Sequence, residues 1–193
     1  MDISLRCLPS QTALLVCLGL AVSKPAQAQS PPSQAFEIPQ TGVILITGDT
    51  WQQNGRQMRL YGVQSCIRGT QYTNPVGVKQ DCGEASAVML GALMKDTRPT
   101  CTPIAEITAA SVREPATILV ICTSYVGGKE LDLGAVMITQ GYAFAAFTSE
   151  GKPVYAPYLV AEATAKHANA GLWAAPDLQE PNAILFDALN APK

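Results

Sequence analysis

Residues Met58 to Gly69 read MRLYGVQSCIRG and follow ITGDTWQQNGRQ. An arginine inside an apolar strand, Arg59, downstream of a Gly-Asp-Thr turn at Asp49, is suited to holding a phosphate. The residues that come next, Gln64, Ser65, Cys66 and Ile67, offer no carboxylate to hold a metal ion or activate a water. The next carboxylates along the chain, Asp81 and Glu84, stand where a helix begins. Each of these side chains also has a plainer role. An Asp before Thr50 is a good turn residue because its carboxylate bonds its own backbone two residues on. Arg59 is equally suited to pairing with a carboxylate across the fold.

Composition sets the compartment. The first residues carry Arg6, then the apolar run TALLVCLGLAV, then Ala26 and Ala28 spaced as a small-residue cleavage signal. Residues 1–28 therefore read as a signal peptide cut near Ala28, with 29–40 as a flexible leader. The destination expected is the periplasm or the outside of the cell. No apolar run reaches the ~20 residues that a membrane-spanning helix needs.

The 165 residues that remain suit one domain. They keep Cys66, Cys82, Cys101 and Cys122, and an even number in an exported chain points to two disulfides. Zinc is the weaker explanation, because there is no C-x-x-C pair and His167 is the chain's one histidine. Without Arg6, Lys24 and Asp2, the 13 basic and 15 acidic residues become 11 and 14, a net charge of about −3. Nucleic-acid binding is expected to be weak or absent, since phosphate neutralisation supplies most of that affinity and no basic run is present.

The elements that would position these residues follow from periodicity. Strands are expected at 42–47, 50–53 and 56–63, with Asn54-Gly55 as a hairpin turn. Apolar residues at Ala85, Val88, Met89, Ala92 and Leu93 predict an amphipathic helix over 82–95, capped by Asp81. Two strands follow at 100–108 and 116–126, with an edge or bulge at Pro103. A helix is expected over 130–141, closed by Gly141, then an extended piece at 142–147 and a last helix over 155–170. Trp51 and Trp173 read as core or rim aromatics, and His167 as a solvated helix residue. The tail, 176–193, is left either disordered or folded back through its AILF cluster. Five strands in a three-plus-two order, with a helix between the sets and more helix at the end, suit an OB-type barrel of the α+β class, although pattern alone does not choose it over another α+β fold.

The ordered motifs GDT, MRLYGV, CGEASAVMLGAL, GGKELDLGAVMITQGYAFA and YAPYLVAEATAKHANAGLW resemble the landmarks of staphylococcal-nuclease-like (thermonuclease) domains. The resemblance runs from Thr41 to Trp173, most of a domain drawn at 41–175. It implies a five-stranded OB-fold barrel with about three helices and, for the family, calcium-dependent cleavage of DNA and RNA phosphodiesters. Carried over by position, Asp49 matches a metal-binding carboxylate and Arg59 the first phosphate-binding arginine. Gln64 stands where the family has a second metal-binding Asp, Ile67 where it has the proposed general base, and Thr117 where it has the second arginine. The nearest arginine to that last position is Arg113. Glu162 matches a glutamate of the terminal helix and is expected to tie that helix to the barrel.

Three of four charged catalytic positions are thus uncharged, and no catalytic set is intact. The resemblance also places Cys101 and Cys122 on neighbouring strands, making them a natural bridge. A Cys66–Cys82 bond would close the polar loop between them, although four cysteines allow three connectivities. The function expected is a non-catalytic binding or interaction module with no resident cofactor, its partner an unidentified protein or envelope component. One alternative is a calcium-dependent phosphodiesterase with substitute ligands such as Asp81 and Glu84. The other is a structural accessory of an envelope or secretion assembly.

Overall fold

The computed structural model describes residues 34–108 and 116–191. The segment expected as a signal peptide, the first part of the expected leader and Arg113 lie outside the described residues. The chain is α+β, with a mixed sheet that curls into a half-barrel. The strands that carry the sheet are β1 (Phe36–Glu37), β2 (Ile44–Leu45), β3 (Thr50–Gln53), β4 (Arg56–Leu60), β8 (Thr100–Ile107) and β9 (Thr117–Val126), in the order β1-β8-β9-β4-β3-β2. A further strand, β10 (Lys129–Asp132), pairs with the second half of β9. Two small ribbons stand apart. In one, β5 (Val63–Ser65) pairs with β11 (Ala143–Ala145), and in the other β6 (Gln71–Thr73) pairs with β7 (Lys79–Asp81).

Local chemistry explains the best-formed elements. Asn54 and Gly55 take φ of 50° and 72°, the left-handed pair that a two-residue hairpin turn needs, and so set β3 against β4. Helix α1 (Cys82–Thr97) starts at Asp81, whose carboxylate accepts from the Glu84 N–H at 2.8 Å. It ends where Arg98 turns left-handed and Pro99 follows. β9 alternates buried Ile118, Val120 and Cys122 with less buried neighbours, which gives the sheet one core face. That face closes on Trp51, Met58 and Leu60, on Leu90 of α1, and on Met137 and Ile138 of α2 (Leu133–Thr139). Each such fully buried side chain contributes about 1.5–3 kcal/mol.

Both disulfides form, Cys66–Cys82 and Cys101–Cys122. The second joins direct partners in the β8–β9 ladder. The first is packed with Tyr72, Phe144 and Leu172 in a second, smaller core. β8 carries an irregularity between Pro103 and Ala105, at the proline expected to mark an edge or bulge.

Several segments differ from expectation. Phe36 and Glu37, within the stretch expected as leader, pair with Cys101 and Thr100, and Ile38 is buried. The strand expected over 56–63 breaks at Tyr61-Gly62 and resumes as β5, which pairs with β11 while β4 pairs with β3 and β9. The helix expected from Glu130 starts only at Leu133, because Lys129–Asp132 finds β9 as a strand partner. Asp132 caps the shortened helix by accepting from the Ala135 N–H at 2.9 Å. α3 (Pro157–His167) follows the expected terminal helix, and the tail folds back as α4 (Pro181–Asn190).

Candidate functional site

Period-two alternation places the site on the outer face of the sheet. In β4, Met58 and Leu60 point into the core, so Gln57 and Arg59 face outward. The parallel register with β9 sets Gln57 beside Thr117 and Arg59 beside Leu119. Asp49 closes the turn before β3, and its carbonyl accepts from the Leu60 N–H at 2.9 Å. Gly48 is required in that turn by space. A Cβ there would lie 2.3 Å from the Cβ of Ser86 on α1.

Asp49 is only 2% exposed, and its carboxylate is fully occupied by the protein. The Thr47 and Thr50 hydroxyls both donate to Oδ1, the latter at 2.9 Å. Arg59 donates to Oδ2 from Nε at 3.1 Å, with Nη2 at 3.1 Å from the same oxygen. The same Nη2 donates to Gln64 Oε1 at 3.3 Å, while Gln64 Nε2 donates to the Ser65 carbonyl at 2.9 Å. Asp49, Arg59 and Gln64 therefore form one connected cluster. Thr117 lies outside it, its hydroxyl accepting from Gln57 Nε2 at 2.8 Å.

Ile67 sits in the loop after Cys66, where its carbonyl accepts from the Thr70 N–H and hydroxyl at 3.2 and 2.7 Å. Arg68 then ties this loop to the Asp49 turn by donating to the Ile46 carbonyl at 2.9 Å. Thr47, Gln57 and Arg68 were not singled out from sequence. A hydroxyl two residues before the aspartate, and a second outward polar residue on Arg59's strand, are the signals that would have found the first two.

The donor set does not fit a calcium ion. Ca²⁺ takes 6–8 oxygen ligands, commonly with several carboxylates. Here Asp49 is the one carboxylate of the cluster, its lone pairs meet four donor contacts, and Gln64's carbonyl faces a guanidinium. Among the described residues, no three His, Cys, Asp or Glu side chains are grouped to hold a metal. Asp81 and Glu84, the substitute ligands considered from sequence, line a different groove alongside α1. Burial acts to raise the Asp81 pKa, but the N–H groups of Glu84, Gly69 and Gly83 and the nearby Arg68 outweigh it and hold the carboxyl below its ordinary value.

The remaining candidates take structural positions. Glu162 is buried on α3 and accepts from the Ala145 N–H at 2.7 Å, with Lys166 3.2 Å from its other oxygen. This ties the helix to β11. His167 is exposed at the end of α3. Trp51 is fully buried with Nε1 donating to Gln53 Oε1 at 2.8 Å, and Trp173 packs edge-on to Phe144 under the Lys166 ammonium. Helix α4 reaches the other side of Gln64: Asn182 donates to the Ala145 carbonyl at 3.0 Å, and Phe186 meets Phe147 edge-on.

No protein-family model matches the chain, and no curated protein matches it. The two disulfides fit an oxidising compartment such as the periplasm or the cell exterior. No helix among the described residues is long and apolar enough to cross a membrane.

Proposed function

We propose that this chain is an exported binding module built on a staphylococcal-nuclease-type OB barrel whose catalytic site has been converted into a structural ion-pair cluster. One observation carries the reading: the Asp49 carboxylate and the Arg59 guanidinium, the two charged groups kept at family positions, are spent on each other and on their neighbours. A nuclease needs the carboxylate free for a cation and the guanidinium free for the phosphate. Gln64 supports the same conclusion, because its carbonyl stabilises Arg59. Ile67 can accept no proton, and a lost general base costs about 10²–10⁴-fold in rate.

The test is direct. The purified chain is incubated with DNA and with RNA, with and without calcium, and its thermal stability is followed over a calcium titration. Cleavage no greater than buffer and an unchanged melting temperature are expected, since a ligand bound only by the native state must raise stability. Calcium-dependent cleavage abolished by Asp49→Ala or Arg59→Ala would overturn the reading. Gln64→Asp, Ile67→Glu and Thr117→Arg made together should yield at most a trace of activity, because the surrounding shell that would aim those groups is not in place.

A further inference from the structure

A groove of about 650 Å³ runs between the β6–β7 hairpin and α1, within the ~300–1,000 Å³ typical of ligand sites. It shares no residue with the Asp49–Arg59 cluster. One wall is an apolar face of α1, formed by Ala85, Val88, Met89 and Ala92 at i, i+3, i+4 and i+7, with Tyr142 beside it. Val88 is 64% exposed, so this wall is not covered by the other described residues.

The other wall is the β6–β7 hairpin. Three consecutive residues of β7, Lys79, Gln80 and Asp81, line the groove together with Gln71 and Tyr72 of β6. Within the hairpin, Asn74 bonds Val78 and Cys82 bonds Thr70. Antiparallel alternation then makes Thr73–Lys79 a pair without mutual hydrogen bonds, whose N–H and C=O groups point outward. The β6 side shows this directly, since the Thr73 N–H is taken by Asp177 Oδ1 at 2.8 Å. On the β7 side, no main-chain partner among the described residues meets Lys79 outside the hairpin. Among the described residues, one edge of the ribbon is closed by Asp177, and the β7 edge, beside the apolar face of α1, has no strand partner besides β6.

We propose that this groove binds an extended peptide, which adds to β7 as a third strand and lays an apolar side chain on the Met89–Tyr142 wall. Unpaired strand N–H and C=O groups call for a complementary strand, which an apolar small molecule does not supply. Charge sets the peptide's sign. Glu84 is exposed on the rim and forms no ion pair among the described residues, while Lys79 has Asp177 close enough to depress that carboxyl's pKa, after the two hydrogen bonds from Thr73. The groove therefore favours a segment that alternates apolar and basic residues. This names a ligand class for the binding module proposed above, and it rests on that reading only for its biological use. Absence of nuclease activity and presence of peptide binding are separate results.

The experiment uses fluorescein-labelled eight-residue peptides read by anisotropy: an alternating apolar–lysine sequence, its apolar–glutamate counterpart, and the lysine peptide N-methylated on one backbone edge. The lysine peptide should bind in the micromolar range, and the glutamate peptide more weakly. N-methylation should weaken it about fivefold to tenfold, the loss of one or two main-chain hydrogen bonds. Lys79→Pro should do the same, since proline is tolerated on an outward strand edge but donates no N–H. Met89→Glu should abolish binding, and Glu84→Lys should invert the preference between the charged peptides. If Lys79→Pro fails to fold, the N-methylated peptide still decides the edge geometry on the unmodified chain. Absence of binding by any peptide at millimolar concentration would overturn the proposal, as would binding indifferent to N-methylation. A concentration-dependent dimer lost in Met89→Glu would overturn it too, by making a second copy the occupant.

Discussion

Arg59 lies across the buried Asp49 carboxylate, with Nε and Nη2 each 3.1 Å from Oδ2, while the Thr47 and Thr50 hydroxyls take Oδ1. Asp49 is thus a satisfied buried charge, and the pair joins the turn before β3 to strand β4. Its side chain is 3% exposed, whereas that of Arg59 is 39% exposed, so the two ends of the pair are unequal in what their loss does.

Asp49→Ala should destabilise the fold by about 2–3 kcal/mol, because it strands two hydroxyls and a guanidinium around a small cavity. Arg59→Gln should cost about 1 kcal/mol, since water replaces part of an exposed partner. Denaturant midpoints at constant slope measure both. A site kept for chemistry commonly trades stability for function, so neutral or stabilising substitutions at Asp49 would favour the enzyme reading instead.

The disulfides give the second expectation. Mass spectrometry of the unreduced protein should show linked fragments Cys66–Cys82 and Cys101–Cys122 and no free thiols. Cys66→Ala with Cys82→Ala should cost about 3 kcal/mol, the loop-closure value for a separation of 16 residues. Because Cys66 is two residues from Gln64, the loop holding Ile67 and Arg68 should gain mobility too. Faster hydrogen exchange at Thr70 and Gly69 in that variant would register it.

The parts legible in the sequence are those decided by local chemistry. The Asn54-Gly55 turn, the Asp81 cap and the β9 strand with its run of β-branched residues each depend on a few adjacent side chains, and each is where it was expected. The β6–β7 hairpin was not foreseen, since QYT and KQD carry one apolar residue between them and show no period. Glu130–Asp132 reads as the start of a helix because Leu131 shares a helical spacing with Ala135 and Ile138, and pairing with β9 overrode that spacing. At the site, an ion pair across the fold was one of two readings of Arg59. Its partner's identity depended on the Asp49 turn folding over β4, a long-range arrangement that the residue types alone do not specify.

Acid should weaken the cap of α1 in a defined window. The Asp81 carboxyl lies below its ordinary value of 3.8, so its contribution is complete above that pH and is lost as pH falls through the lower folded value. The stability of wild type relative to Asp81→Asn should therefore be constant above about pH 5 and shrink below pH 4. Asparagine keeps the cap acceptor, so the comparison isolates the charge. A difference that stays flat down to pH 2 would show that Asp81 ionisation does not stabilise the helix start.

Gly48 provides the last test, because it sets how closely the Asp49 turn approaches α1. Its φ is not in the left-handed region, so a side chain there faces a problem of space and not of backbone conformation. A Cβ would sit 2.3 Å from Ser86 Cβ and 2.8 Å from that residue's carbonyl carbon, so trimming the serine removes only part of the clash. Ser86 cannot simply move away, since its hydroxyl donates to the Tyr142 carbonyl at 2.7 Å and accepts from the Cys66 N–H at 3.3 Å. Gly48→Ala should then cost about 1–3 kcal/mol, the usual range for overpacking. It should also displace the turn enough to lengthen the Arg59–Asp49 contact. Gly48→Ala with Ser86→Gly should recover some stability but not all of it, a coupling that a double-mutant cycle measures. Full additivity of the two changes would mean that the turn and the helix do not bear on each other as the distances require.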